Sequence, residues 1–212
     1  MNAATTRDSA LTEALLRAFA LATYGLLVWN VAQNWWADTS RITLLLLLVA
    51  ESFTLALVLF ARRALVRDLS PVALAATLYA AFFFVFFDYA DTRHLAPEWL
   101  GATPQLAGLG WQAASKLALG RSFGLLPAAR RLVTGGPYRV VRHPIYLGYL
   151  VSHLGFLLSN FSWLNLFVLA VLYLAQAVRM QREEAVLSAG EQHEDYRAYR
   201  AAVRFRIVPF VY

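Results

Sequence analysis

The chain contains no cysteine. Disulfides, thiolate metal sites and cysteine nucleophiles are therefore excluded, and cysteine usage says nothing about compartment. Charge is scarce too: 15% of the 212 residues are Asp, Glu, Lys or Arg, against about a quarter in an average soluble domain. The four histidines (His94, His143, His153 and His193) show no HExxH or other close ligand spacing, so no metal site is expected. A strand–GxGxxG–helix pattern is also missing, which argues against a Rossmann cofactor domain.

What fills the chain instead is apolar. Hydrophobic residues make up 59% of it, and the mean hydropathy is +0.51. They gather in runs near the length that crosses a bilayer, about 20 residues. Six such runs cover residues 19–31, 42–61, 71–89, 99–119, 145–159 and 164–178. The expectation is an all-α polytopic membrane protein with about six crossings. Only NFSW (160–163) separates the last two, which makes them a helical hairpin.

All 19 lysines and arginines except Arg41 and Arg93 then fall on the side holding both termini. The positive-inside rule places that side in the cytoplasm. Trp35, Trp36, Trp99 and Trp163 fall on the other side, as an interfacial aromatic belt would. A signal peptide is the weaker reading of the first run, because 18–37 offers no convincing cleavage site. The formal charge of +6 is then largely topological, and nucleic acid is not an expected partner. Residues 1–95 read as a three-helix transmembrane scaffold, and 96–212 as the part that carries chemistry.

The densest chemistry lies at 135–148, GGPYRVVRHPIYLG. Gly135 and Gly136 permit unusual backbone geometry, and Pro137 fixes its own φ. Pro144 suits the first position of a helix. A helix start flanked by Arg139, Arg142 and His143 is an anion site, with Tyr138 and Tyr146 adding hydroxyls and ring faces. The same arginines also make an ordinary topological collar, and the residues alone leave both readings open. The hairpin returns a second group, Arg179, Glu183 and Glu184, to this membrane face. Together they suggest a mixed-charge pocket suited to a zwitterionic ligand.

Further along the fifth run, Gly148, Ser152, Gly155 and Ser159 share one helix face and are read as packing against helix six. His153 is expected to be hydrogen-bonded to a neighbouring helix rather than catalytic. Glu51, midway along the second run, reads equally as a functional carboxylate and as a protonated, bonded one.

LGRSFG (119–124), LVTGGPYRVVRHPIYLG (132–148), the hairpin, R-x-x-x-EE-x-x-L from Arg179 to Leu187, and YRAYRAAVRFRIVP (196–209) together resemble the isoprenylcysteine carboxyl methyltransferase and phospholipid methyltransferase superfamily. The resemblance covers about the last 95 residues. It implies a multi-pass membrane enzyme that uses S-adenosylmethionine in a cytosolic-face pocket, releases S-adenosylhomocysteine and methylates a lipid-like acceptor entering from the bilayer. It also implies cofactor contacts from Arg130, Arg131, Leu132, Val133, Tyr138, His143, Pro144, Ile145, Tyr146 and Glu183, which Arg142 joins from the helix-start reading. Arg179 corresponds to a residue implicated with the acceptor, and Glu184 or His143 is a candidate base for an amine or thiol acceptor.

The stretch SAGEQHED after Leu187 runs about a residue longer than the family pattern, leaving the register of 188–212 and the parts of Tyr196 and Tyr199 open. The competing functions are a phospholipid N-methyltransferase, a sterol-type NADPH-dependent membrane reductase and a non-enzymatic lipid-binding protein. The acceptor and the oligomeric state are not fixed by the residues. The expected location is the inner membrane in a bacterium and the endoplasmic reticulum in a eukaryote.

Overall fold

The computed structural model describes residues 10–60, 70–120, 132–189 and 192–211. Within them the chain is all-α. Seven helices follow in order: α1 (Ala10–Ala37), α2 (Ile42–Phe60), α3 (Pro71–Phe82), α4 (Glu98–Leu119), α5 (Pro144–Ser159), α6 (Trp163–Ala189) and α7 (His193–Ala202). Extended pairing among the described residues is limited to one bridge, Arg93 with Phe161.

Local chemistry sets several boundaries. Ser70 accepts the Ala73 amide at 3.3 Å, and Pro71 opens α3 behind it. Ser162 does the same for α6, accepting from the Asn165 amide at 3.0 Å. Pro144 opens α5 as the sequence suggests.

The aromatic run after α3 does not continue as α-helix. It tightens to a 3₁₀ turn at Phe83–Phe86 and becomes extended at Phe87. The cause is visible one residue on. Asn165 of α6 accepts from the Asp88 amide at 2.8 Å and donates to its carbonyl at 2.9 Å, holding the chain out of the helix. The freed rings build the core. Phe87 stacks on Phe156 at 4.8 Å between centroids, while Phe83, Phe84 and Tyr24 pack around them. The same core takes in Leu27 and Val31 of α1, Leu44 and Leu47 of α2, and Leu169 and Leu172 of α6. It therefore runs across the division at 95/96.

The dominant packing is α4 on α5. This corrects the expectation that the small-residue stripe of α5 admits α6. A Cβ added at Gly148 would meet the carbonyl of Gly108 at 2.8 Å, and one at Gly108 would meet Gly148 and Ser152 backbone at 2.6 and 2.5 Å. The two stripes interlock at backbone distance, where only glycine fits. The hairpin itself forms. His153 Nδ1 lies 2.9 Å from the Tyr173 hydroxyl, which fits its expected role as a residue bonded between helices.

One end of the bundle gathers the connections 38–41, 88–97 and 160–162. Arg41, one of the two cations expected on the side away from the termini, is buried there. It donates to the Tyr89 carbonyl at 2.7 Å, to Asn160 Oδ1 at 2.7 Å and to Thr92 at 3.1 Å. Asn160 in turn donates to Thr43, which donates to Glu98. Lys116, counted from the sequence with the charges of the terminal side, is also buried, 2% exposed and set over the rings of Phe53 and Tyr149. Trp36, Trp99 and Trp163 are exposed at the gathered end. Among the described residues one helix, α6, is long and apolar enough to cross a membrane, with shorter apolar stretches at Ile42–Phe53, Pro71–Phe86 and Pro144–Ser159.

Candidate functional site

The opposite end holds the residues singled out above. Gly136 has φ +59°, a left-handed geometry that glycine adopts without strain. It starts a 3₁₀ turn at Gly136–Arg139 that buries the Tyr138 ring. Tyr138, Tyr196 and Tyr199 form a small second core with Val203, against which Leu132 and Val133 pack. The Tyr199 hydroxyl donates to the Tyr138 carbonyl at 2.8 Å. Tyr196 and Tyr199 share one face of α7 and grip the turn.

His143 occupies the cap position of α5 without capping it. Its ring is turned to α6 instead. Nε2 lies 3.1 Å from Glu184 Oε1 and Nδ1 lies 3.6 Å from Glu183 Oε2. One turn on, the Tyr146 hydroxyl donates to Glu183 Oε1 at 2.7 Å. The Arg179 guanidinium sits 5.6 Å from the Tyr146 ring centre and donates to Gln176 at 3.0 Å. Arg179 and Glu183 are four apart, so both face α5.

Successive residues on a helix diverge by about 100°, and the glutamate pair uses that divergence. Glu183 faces Tyr146 and stays 26% exposed. Glu184 is 6% exposed and meets three cationic or donor groups: His143, Arg142 Nε at 3.4 Å and Arg206 Nη2 at 3.1 Å. α6 spans about 40 Å at roughly 1.5 Å per residue, more than the roughly 30 Å of bilayer hydrocarbon. Its apolar run ends at Val178, so Glu184 stands beyond the apolar stretch. Burial alone would raise its carboxyl. The His143 hydrogen bond and the charges of His143, Arg142 and Arg206 outweigh that and hold it at about 2. With Glu184 ionised, His143 Nε2 is the donor.

The tail closes the arrangement. The Arg142 amide donates to the Phe205 carbonyl at 2.9 Å, and the His143 amide to the Arg206 carbonyl at 2.8 Å. Arg206 is the residue that sequence reasoning missed. Its signal lay in VRFRIVP, but an uncertain register hid which arginine faces inward.

The structure therefore brings together Arg142, His143, Pro144, Tyr146, Arg179, Glu183 and Glu184, from the start of α5 and from α6, with Tyr138 beside them in the second core. Ile145 is half-buried beside them. Leu132 and Val133 stand apart, at the second core. Leu132 also lines an open groove of about 750 Å³ between 132–139 and α7, with Thr134, Arg139, Asp195 and Tyr199. That volume falls in the range of small-molecule sites, about 300–1,000 Å³. Arg130 and Arg131 lie outside the described residues, as does LGRSFG from Arg121 onward.

This cluster falls inside the stretch that resembles known proteins. Residues 110–190 match the phospholipid methyltransferase family. The match runs from the second half of α4 through α5 and α6, and takes in the whole Arg142–Tyr146 and Arg179–Glu184 pairing. A protein-S-isoprenylcysteine O-methyltransferase of Schizosaccharomyces pombe is 41% identical over 87 residues, which is 37% of this chain and 36% of that protein. The chain thus spans just over a third of the length of that relative. No solved structure matches it. These similarities agree with the resemblance read from the GPY turn, the HPxY run and the glutamate pair.

Proposed function

We propose that the chain is an integral membrane methyltransferase that moves a methyl group from S-adenosylmethionine to a lipid-like acceptor, at the end of the bundle where α5 starts and α6 emerges. The observation that carries this reading is the pairing of His143 and Tyr146 with Glu184 and Glu183 inside the family-matched region.

The donor set fits the cofactor. Glu183 is a half-buried carboxylate with one oxygen bonded to Tyr146 and the other 3.6 Å from His143, suited to accept from ribose hydroxyls or an ammonium. Tyr138 and Tyr146 offer ring faces to a sulfonium. Arg142 and Arg139 supply positive charge for a carboxylate. When bound, the cofactor supplies an electrophilic methyl carbon on a positively charged sulfur. The residues orient and desolvate; positioning of this kind accounts for much of the rate in a displacement that needs no covalent intermediate. Arg179, packed on Tyr146, orients the acceptor from the bilayer side. Glu184, ionised down to about pH 2, is too weak a base to take a proton from an amine and serves to hold the site together. A carboxylate acceptor requires no base at all.

Support for a six-crossing topology comes from the gathering of three connections and three exposed tryptophans at one end, opposite Arg139, Arg142, Arg179 and Arg206. Both termini are then cytoplasmic.

Membranes containing the full chain, incubated with methyl-labelled S-adenosylmethionine, should transfer label into the lipid-extractable fraction. Glu183→Gln and Tyr146→Phe each remove part of one charge-assisted hydrogen bond, about 1.5–3 kcal/mol, and should reduce transfer by about tenfold or more. Label transfer unaffected by either change would contradict the site; hydride transfer from NADPH without methyl transfer would replace the reading with a reductase.

A further inference from the structure

Glu51 of α2 and Lys116 of α4 are buried in the helix interior, 5% and 2% exposed, and their opposite charges attract. Glu51 also accepts a hydrogen bond from Tyr24 of α1. The Lys116 ammonium lies 5.4 Å from the Phe53 ring centre, 5.0 Å from the Tyr149 ring centre and 3.4 Å from Gln112 Oε1. Removing such a pair from water costs more than its attraction commonly returns, and ionisable residues at this depth mark function more often than stability. Lys116 lies within the family-matched residues 110–190 and Glu51 outside them.

Its position gives it a part. Phe53 is 37% exposed on the outside of the bundle. Tyr149 is one turn deeper than Tyr146 on α5 and lies within electrostatic range of both Tyr146 and Arg179. Lys116 therefore lies between a residue on the outer surface and the Arg179–Tyr146–Glu183 cluster.

We propose that Lys116 is a specificity-determining residue that binds an anionic group of the acceptor, with Glu51 as its resident counter-ion when no acceptor is present. An incoming carboxylate or phosphate takes the place of Glu51 against the ammonium, Glu51 takes up a proton and keeps its hydrogen bond from Tyr24, and the Phe53 and Tyr149 rings shield the exchange from water. Lys116 and Arg179, both near Tyr149, form a pair of cations that selects an anionic amphiphile over a neutral one of the same chain length. This deepens the methyltransferase reading and rests on it for where the acceptor reacts, but the binding chemistry is measurable without turnover.

The test is equilibrium titration of the full chain in neutral detergent with oleate, oleyl alcohol and dioleoyl phosphatidate, beside S-adenosylhomocysteine. The variants are Lys116→Met, Lys116→Arg and Glu51→Gln. Wild type should bind oleate about tenfold or more tighter than the alcohol, about 1.4 kcal/mol. Lys116→Met should abolish that preference, Lys116→Arg should keep it, and Glu51→Gln should widen it. Competition by phosphatidate extends the subsite to phosphate, whereas its failure confines it to carboxylate; either supports an anion subsite. Equal binding of oleate and alcohol by wild type, or an undiminished preference in folded Lys116→Met, overturns the proposal. If Lys116→Met does not fold, Glu51→Gln decides: a widened preference supports it, and an unchanged or narrowed one overturns it. A Lys116-dependent preference in a protein that ignores S-adenosylhomocysteine would leave the anion subsite standing and remove the methyltransferase reading.

Discussion

Replacing Glu184 with glutamine keeps the shape of the side chain and removes the charge that ties α5, α6 and the tail together. The magnitude follows from the carboxyl's position on the pH scale. It drops from an ordinary 4.5 to about 2, and at about 1.36 kcal/mol per pH unit the charge contributes at most about 3 kcal/mol. The clamp is partly open to solvent, with Arg206 a quarter exposed, and solvent screens part of this, so about 2 kcal/mol is the working figure. Because the folded value is depressed, the contribution is present above pH 4.5 and is lost as pH falls toward 2. Thermal unfolding in detergent, followed by circular dichroism at several pH values, reads it directly. At about 2–4 °C per kcal/mol for a chain of this size, Glu184→Gln should melt roughly 4–8 °C below wild type at pH 7. That gap should narrow steadily below pH 4.5. A gap that stays constant between pH 7 and pH 3, or no gap at neutral pH, would refute the clamp.

Other outcomes follow from the packing. Gly108→Leu and Gly148→Leu each force a side chain into backbone closer than 3 Å and should abolish a stable fold, read as loss of monodisperse protein in size exclusion. Gly110, whose added Cβ meets nothing within 4 Å, is the control: Gly110→Ala should stabilise by up to about 1 kcal/mol through helix propensity. Tyr199→Phe removes the hydroxyl that holds the Tyr138 carbonyl and should cost about 1 kcal/mol, with earlier proteolysis of the tail as a second readout. Arg41→Met strips three hydrogen bonds from the buried knot at the far end and should lower the melting temperature without changing cofactor affinity.

Much of the site was legible because the sequence spells it in local terms. Pro144 fixes where α5 starts, the short NFSW link returns α6 to the same face, and the four-residue spacing of Arg179 and Glu183 aims both at α5. What stayed hidden needed contacts between distant segments. The stripe Gly148–Ser152–Gly155–Ser159 announced a close approach but not its partner, because the matching glycines on α4 sit among polar residues that disguise a packing face. The break after Phe82 depends on Asn165, some eighty positions on, and no local pattern signals it. Counting cations by side could not show that Arg41 and Lys116 are buried, because it treats every cation alike. Their burial follows from partners, Asn160 and Tyr149, that only the fold supplies. Arg206 was obscured by the lengthened stretch before α7, because its role depends on pairing with Glu184 on a distant helix.

The central claim is that the α5 start and the α6 glutamate pair form a pocket for S-adenosylmethionine. Calorimetric titration of the detergent-purified full chain with S-adenosylhomocysteine tests it most directly, beside Glu183→Gln. Micromolar binding to wild type, weakened about tenfold or more by Glu183→Gln in a protein of unchanged melting behaviour, is the predicted result. A folded wild-type protein that takes up no S-adenosylhomocysteine, or one whose affinity ignores Glu183, would contradict the account.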